Sequence, residues 1–148
     1  MDTPPLPPAY LFAALSAMVL LHFLVPVYQL TSHPWNAIGL IPLIIGIVLN
    51  LAADASLKKH GTTVKPYEPS TTLITSGIYK YSRNPMYLGM IMILIGVALL
   101  MGSLTPYSIV LIFIITIDRH FIRPEEEMLN RQFGRAWAEY RNNVRRWL

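Results

Sequence analysis

Cysteine is absent from the chain, and charge is scarce. With no cysteine among 148 residues there is no disulfide framework, no thiolate metal site and no catalytic thiol. Only 14% of the residues are charged, against roughly a quarter in a soluble domain. The shortfall is concentrated, because two blocks of the chain carry almost no charge, and 53% of all residues are hydrophobic. These are the marks of an integral membrane protein, at a length that suggests one domain. Also missing are a Gly-rich loop opening a helix, a Walker sequence, a histidine pair at metal spacing and a serine-centred elbow. These absences argue against a nicotinamide cofactor or a metal. Met1 to Pro8 has no basic region and no small-residue cleavage site, so it does not read as a signal peptide. Its four prolines suggest a stiff, extended lead-in.

What is present begins with long apolar runs. Tyr10 to Leu30 is about long enough to cross a bilayer core of ~30 Å, with Pro26 expected to kink or fray it. His22 inside it reads as a histidine bonded to a neighbouring helix. After a turn with Pro34 and the interfacial Trp35, Asn36 to about Leu57 returns. Asn50 and Asp54, four apart, share one face of it, pointing into protein or toward headgroups; Asp54 is either a partner for a base of the next segment or an ordinary interfacial carboxylate. Lys58 to Ser76 is polar, and Gly61, Pro66 and Pro69 prevent a continuous helix there. Met86 to Ile117 carries no charge. As one straight helix it would span ~48 Å, so the Gly102-Ser103-Leu104-Thr105-Pro106 break predicts a tight hairpin of two short spans. From Glu125 onward, Met128, Leu129, Phe133, Ala136, Trp137, Tyr140 and Val144 form one stripe, which predicts a C-terminal amphipathic helix along the membrane surface. The expected fold is therefore all-α and membrane-integral, with about four transmembrane helices, the last two a short hairpin, plus that helix. As one domain over residues 1–148, it divides into a two-span scaffold, 1–57, and a functional core, 58–148.

Four spans put the N-terminus, the 58–85 loop and the C-terminus on one side. All twelve Lys and Arg then fall on that side, from Lys58 to Arg146, and none on the other. The positive-inside rule makes that side cytoplasmic.

Two polar clusters stand at the ends of the charge-free run. The first is Ser76-Gly77-Ile78-Tyr79-Lys80-Tyr81-Ser82-Arg83-Asn84-Pro85-Met86-Tyr87, and the second is Arg123-Pro124-Glu125-Glu126-Glu127. A hairpin brings them to the same side as two walls of one site. Polar groups at such a boundary are expensive unless paired or used. Arg83-Asn84-Pro85 breaks the backbone where a helix must begin and frees N–H groups there. Glu125 and Glu126 diverge by about 100° on a helix, so they cannot do the same job. A purely structural reading stands beside this one: Arg83 snorkels, the tyrosines form an interfacial belt and the glutamates favour a helix start.

Gly77-Ile78-Tyr79, then Arg83-Asn84-Pro85-Met86-Tyr87-Leu88-Gly89, then Glu125-Glu126 followed by Leu129, Phe133-Gly134, Tyr140 and Val144 resembles the isoprenylcysteine carboxyl methyltransferase family. Phospholipid N-methyltransferases share part of the pattern. The resemblance runs from about Thr62 to Val144. It implies a membrane-embedded transferase that uses S-adenosyl-L-methionine, held on the cytoplasmic side between the loop, the start of the hairpin and the C-terminal helix. Carried onto this sequence, Thr71, Thr72, Leu73 and Ile74 line the adenosyl pocket, and Tyr79 binds cofactor. Asn84, Pro85, Met86 and Tyr87 match a His-Pro-x-Tyr cofactor contact, and Glu125 holds the cofactor's amino group. Two positions depart from the family. Asn84 replaces the usual histidine; it can donate and accept hydrogen bonds but cannot carry a proton. The substrate-binding arginine of the prenylcysteine enzymes falls on Phe121, with Arg119 and Arg123 two residues to either side.

Methyl transfer from a sulfonium is an in-line displacement, which needs a nucleophile placed about 3–3.5 Å from the methyl carbon and water excluded. No nucleophilic side chain is required. A carboxylate acceptor would be oriented by Arg123 or Arg119, and an amine acceptor by Glu126, as base or ammonium holder. The partners implied are a lipophilic small-molecule or lipid-modified acceptor and membrane lipids, with no nucleic acid. Three functions follow in order: carboxyl O-methylation of an isoprenylcysteine, N-methylation of a phospholipid amine, and ligand binding without catalysis on the same fold.

Overall fold

In a computed structural model, residues 6–25, 27–61 and 72–148 are described. Pro26 and its expected kink, the Pro66 and Pro69 breaks, and Thr71 lie outside the described residues. Within them all regular structure is helical, apart from one isolated bridge between Gln29 and Ser103. The helices are α1 (Pro7–Leu24), α2 (Leu40–Lys59), α3 (Pro85–Met101), α4 (Thr105–Ile117), α5 (Arg123–Phe133) and α6 (Arg135–Asn143). Short 3-10 turns, Trp35–Gly39 and Gly77–Lys80, lead toward α2 and α3. Three stretches are long and apolar enough to cross a membrane: Pro7–Leu24, Trp35–Lys59 and Thr105–Phe133. α3 is a shorter apolar helix of 17 residues.

Proline sets several starts. Pro7, Pro85 and Pro106 stand in the first turns of their helices, where the missing N–H costs nothing and the fixed φ suits the helix. α3 is the centre: Tyr87, Met90, Ile91, Leu94 and Ala98 are all buried. α1 and α4 close over it through Met18, Val110, Phe113 and Ile117. The outer faces stay apolar and uncovered, with Phe12, Phe23, Ile44, Val48, Leu111 and Ile115 exposed. Lipid is the solvent that suits such faces.

α2 lies on α3 through two glycine pairs. A Cβ on Gly46 would sit 2.5 Å from the Gly89 carbonyl oxygen, and one on Gly39 would sit 2.5 Å from that of Gly96. Gly39, which ends the 3-10 turn, and Gly46 in α2 are seven residues apart, as are Gly89 and Gly96 in α3, so the backbones run antiparallel at a distance only glycine permits. The expected break between α3 and α4 is real. Gly102 ends α3 at φ 73°, its carbonyl accepts from the amides of Leu30 and Thr31, and a Cβ there would collide with the Thr31 carbonyl. His22 bonds this same turn, its Nδ1 lying 2.7 Å from Ser103 Oγ.

Two expectations need correcting. The polar segment after the hairpin is not separate from it: α4 runs through a π-helical turn, Asp118–Ile122, directly into α5. Nor is the C-terminal stripe one helix. Gly134, at φ 47°, divides α5 from α6, because that backbone angle is open to glycine and closed to most other residues. Of the stripe, Trp137 and Tyr140 are buried, while Ala136 is exposed.

Candidate functional site

The site forms where the start of α3, the start of α5 and the lower end of α2 converge. Tyr87, buried in the first turn of α3, donates its hydroxyl to Glu125 Oε2 at 3.0 Å. Tyr79, on the turn before α3, is held by its backbone: its carbonyl accepts the Tyr140 hydroxyl at 2.7 Å. Burial raises the pKa of the Tyr79 hydroxyl, and the nearby Glu125, Tyr140 and Asp54 raise it further. Tyr140 is itself pushed up to about 12 by burial, with Arg83 pulling it back. Tyr79, Tyr87 and Glu125 thus come together. Asp54 also stands within electrostatic reach of Tyr79, and it pairs with Lys58 at 2.6 Å, one turn further along α2 itself rather than on the segment that follows. Asn50 is at the α2–α3 contact, over Gly89.

The two glutamates do separate. Glu126 is held by two arginines: Arg83 Nη1 is 3.1 Å from Oε1, and Arg146 Nη2 is 2.6 Å from Oε2. This is an interior contact, with the Arg83 and Glu126 side chains 9% and 12% exposed. The Arg83 guanidinium also lies over the Trp137 ring, 5.6 Å from its centroid. Burial lowers the pKa of Arg83, and Glu126 opposes that shift. Glu125, in contrast, meets no cation at ion-pair distance among the described residues.

The other residues read from the sequence fall as follows. Pro85 and Asn84 are buried, and Met86 packs half-buried against the core. The Asn84 amide does not point to a free space: its Nδ2 donates to the Arg146 carbonyl at 3.2 Å. Ile74 is buried, Leu73 half-buried and Thr72 exposed. Arg123 is 63% exposed and binds Asp118 Oδ2 at 2.7 Å. Arg119 is exposed, with no ion pair among the described residues. Phe121 is 1% exposed and meets Tyr10 edge-on at 5.2 Å and Tyr87 at 6.4 Å, so an aromatic contact fills that position.

Residues 35–136 match the family model described as phospholipid methyltransferase, well over half the chain. The chain belongs to the phospholipid methyltransferase family. The match begins at Trp35, so the family pattern includes the whole of α2 and reaches further than the motifs around α3 and α5. Protein-S-isoprenylcysteine O-methyltransferase of Saccharomyces cerevisiae is 33% identical over 122 residues, covering 79% of this chain and 50% of that protein. Protein-S-isoprenylcysteine O-methyltransferase A of Arabidopsis thaliana is 31% identical over 121 residues, 78% of this chain and 60% of that protein. The chain spans about half the length of the curated relatives it matches. The solved structure of a eukaryotic intramembrane Ras methyltransferase, isoprenylcysteine carboxyl methyltransferase, aligns with a TM-score of 0.67 at 24% identity, covering 97% of this chain and 52% of its own. That likeness carries the fold.

For this member of the phospholipid methyltransferase family, sequence reading missed two site residues. Asp118 and Arg146 join Glu126 in one ion network although they lie far apart in sequence. No local pattern marks them. The glycine pairs between α3 and the segment of α2 with its leading turn did have a signal, a seven-residue spacing on both sides.

Proposed function

We propose that this chain transfers a methyl group from S-adenosyl-L-methionine to a lipophilic, membrane-borne acceptor. The observation that carries the reading is Glu125: an inward-facing carboxylate, bonded to Tyr87 and without a cation among the described residues, beside a glutamate that has two. Burying an ionised carboxylate without a counter-charge costs several kcal/mol. A ligand with a positive amino group removes that cost, so the residues present fit the cofactor. Glu125 would hold the amino group, Tyr87 would orient Glu125, and Tyr79, Ile74 and Leu73 would supply the walls, with the exposed Thr72 at the rim. When bound, the cofactor supplies an electrophilic methyl group. The chain's own part is to bind, align and keep water out, with α1, α2 and α4 presenting apolar faces to the acceptor's tail.

An isoprenylcysteine carboxylate is the acceptor that the relatives' names support. Arg123 is the arginine best placed for it: with Arg141, Arg146 and Glu126 it lines an open recess of about 250 Å³. Phe121 favours a second reading. The position of the carboxylate-binding arginine is apolar and packed, which suits an uncharged or cationic acceptor such as a phospholipid amine. In that reading Glu126 can serve as base only if it leaves its two arginines. With four crossings and the site on the cytoplasmic side, a polar cofactor would arrive from water and an apolar acceptor from lipid.

Calorimetric titration of the detergent-solubilised protein with S-adenosyl-L-methionine and S-adenosylhomocysteine tests the cofactor. Micromolar binding of both supports the reading, and no binding at millimolar concentration by folded protein sinks it. Methyl transfer assayed on prenylcysteine carboxylates and on phospholipid amines then decides between acceptors.

A further inference from the structure

Val144 leaves α6 in extended conformation, at φ −124° and ψ 129°, and residues 145–148 follow as a non-helical strap. They cross beneath the start of α3. The Arg145 carbonyl accepts from the Arg83 amide at 3.1 Å. The Arg146 carbonyl accepts from Ser82 Oγ at 3.3 Å and from Asn84 Nδ2 at 3.2 Å. Trp147 packs against the core. The Arg146 side chain then turns the other way. Its Nε and Nη2 grip the two oxygens of Glu126, at 3.2 and 2.6 Å, and its Nη1 reaches Asp118 Oδ1 at 3.0 Å. One residue therefore ties together the segment before α3, the π turn and the start of α5. Such a fork on a carboxylate fixes geometry as well as charge. The Glu126 hydrogen bonds raise the pKa of Arg146, with Asp118 adding to the effect, so it stays charged.

We propose that Arg146 is a positioning residue that decides which of the two adjacent glutamates is available to a cationic ligand. It takes up Glu126 together with Arg83, and through that pair its side chain anchors the strap whose Arg145 and Arg146 carbonyls hold the Arg83 amide and the Ser82 and Asn84 side chains, just before Tyr87. Without it Glu126 keeps, among the described residues, only Arg83, becomes a second carboxylate in competition with Glu125, and the Tyr87–Glu125 pair loses one wall of its support. The role in cofactor binding rests on the proposed function, whereas the clamp itself does not.

The test uses the full chain in detergent, as wild type, Arg146→Ala, Arg146→Lys, Glu126→Gln and the double variant Arg146→Ala/Glu126→Gln. Hydrogen exchange reads the clamp without any ligand. Arg146→Ala is expected to speed exchange at least tenfold in residues 80–90 and 117–126 while α2 keeps wild-type protection. Titration with S-adenosylhomocysteine reads the consequence. Arg146→Ala is expected to weaken binding about 10- to 100-fold, the scale on which misplacement by an ångström acts. Arg146→Lys, which keeps the charge and loses the fork, recovers part of it. The double variant is expected to bind more tightly than the product of the two single effects, because Glu126→Gln removes the carboxylate that Arg146 restrains. Additive effects, no recovery by lysine, or unchanged exchange in residues 80–90 would overturn the proposal. If Arg146→Ala does not fold, Arg146→Lys and Glu126→Gln still decide it: full wild-type exchange and affinity in both refutes the clamp. If wild type binds no cofactor, the proposed function fails while the exchange data still judge the clamp.

Discussion

Replacing Glu125 with glutamine separates charge from shape. The amide oxygen can still accept from the Tyr87 hydroxyl, now at 3.0 Å from Oε2, so packing and that hydrogen bond survive. What disappears is a desolvated negative charge that no cation offsets among the described residues. Two effects of opposite sign follow. The ligand-free protein is relieved of part of a penalty worth several kcal/mol, and at ~2–4 °C per kcal/mol for a chain of this size its Tm should rise by at least ~2 °C. Cofactor binding should weaken, because a hydrogen bond to a charged group is worth about 1.5–3 kcal/mol, or about 10- to 150-fold in affinity. Thermal unfolding and calorimetric titration in one detergent measure both. S-adenosyl-L-methionine and S-adenosylhomocysteine carry the amino group and should lose affinity together. 5′-Methylthioadenosine lacks the amino acid portion and should bind wild type and Glu125→Gln equally. A lower Tm with equal loss for all three ligands would show that Glu125 holds the fold and no amino group. Unchanged affinity for S-adenosylhomocysteine would refute the assignment outright.

Tyr87→Phe removes the donor to Glu125 and should weaken cofactor binding about three- to tenfold in the same titration, less than Glu125→Gln, since about 1 kcal/mol of orientation is at stake. Gly46→Ala places a methyl against the Gly89 carbonyl and the Ile93 backbone, neither of which can yield, so thermal unfolding in detergent should show a loss of about 1–3 kcal/mol. Because the chain has no cysteine, single-cysteine labelling reports sidedness without background. Lys59→Cys and Arg145→Cys should react with an impermeant maleimide from the cytoplasmic side, and Ser32→Cys from the opposite side only.

The membrane helices were legible because apolarity is written residue by residue. Gly102 and Pro106 announced the hairpin, and the contrast between charged and uncharged blocks bounded α2, α3 and α4 to within a few residues, whereas α1 ends at Leu24, well before the expected Leu30. The tyrosine–glutamate core of the site was legible as two motifs, since a hairpin has to return its ends to one side. The division between Glu125 and Glu126 was only half legible. Helix geometry says they diverge, but the choice of which one is paired depends on Arg146 and Asp118, whose meeting is a tertiary event with no local signature. Gly134 shows a different failure. The three- and four-residue spacing of Met128, Leu129, Phe133, Trp137 and Tyr140 carries across it unbroken, so periodicity hid a break that the glycine itself signalled.

A π turn, Asp118–Ile122, leads directly into the helix that carries the two glutamates. A helix advances about 100° per residue, so one extra residue in a turn rotates everything beyond it by about that angle. Glu125 and Glu126 differ by the same angle. The turn therefore sets which glutamate faces Tyr87 and which faces Arg83. It also buries Phe121 and Ile122 side by side, as a wide turn can, and leaves Arg119 and Arg123 on the exposed side, with Asp118 holding Arg123 there. Such insertions into α-helices are frequent at functional sites. Here the function of the insertion is rotational. It joins a helix whose phase is set by packing on α1 and α3 to one whose phase is set by two arginines, and the phase difference is what leaves one carboxylate paired with cations and its neighbour, among the described residues, with none.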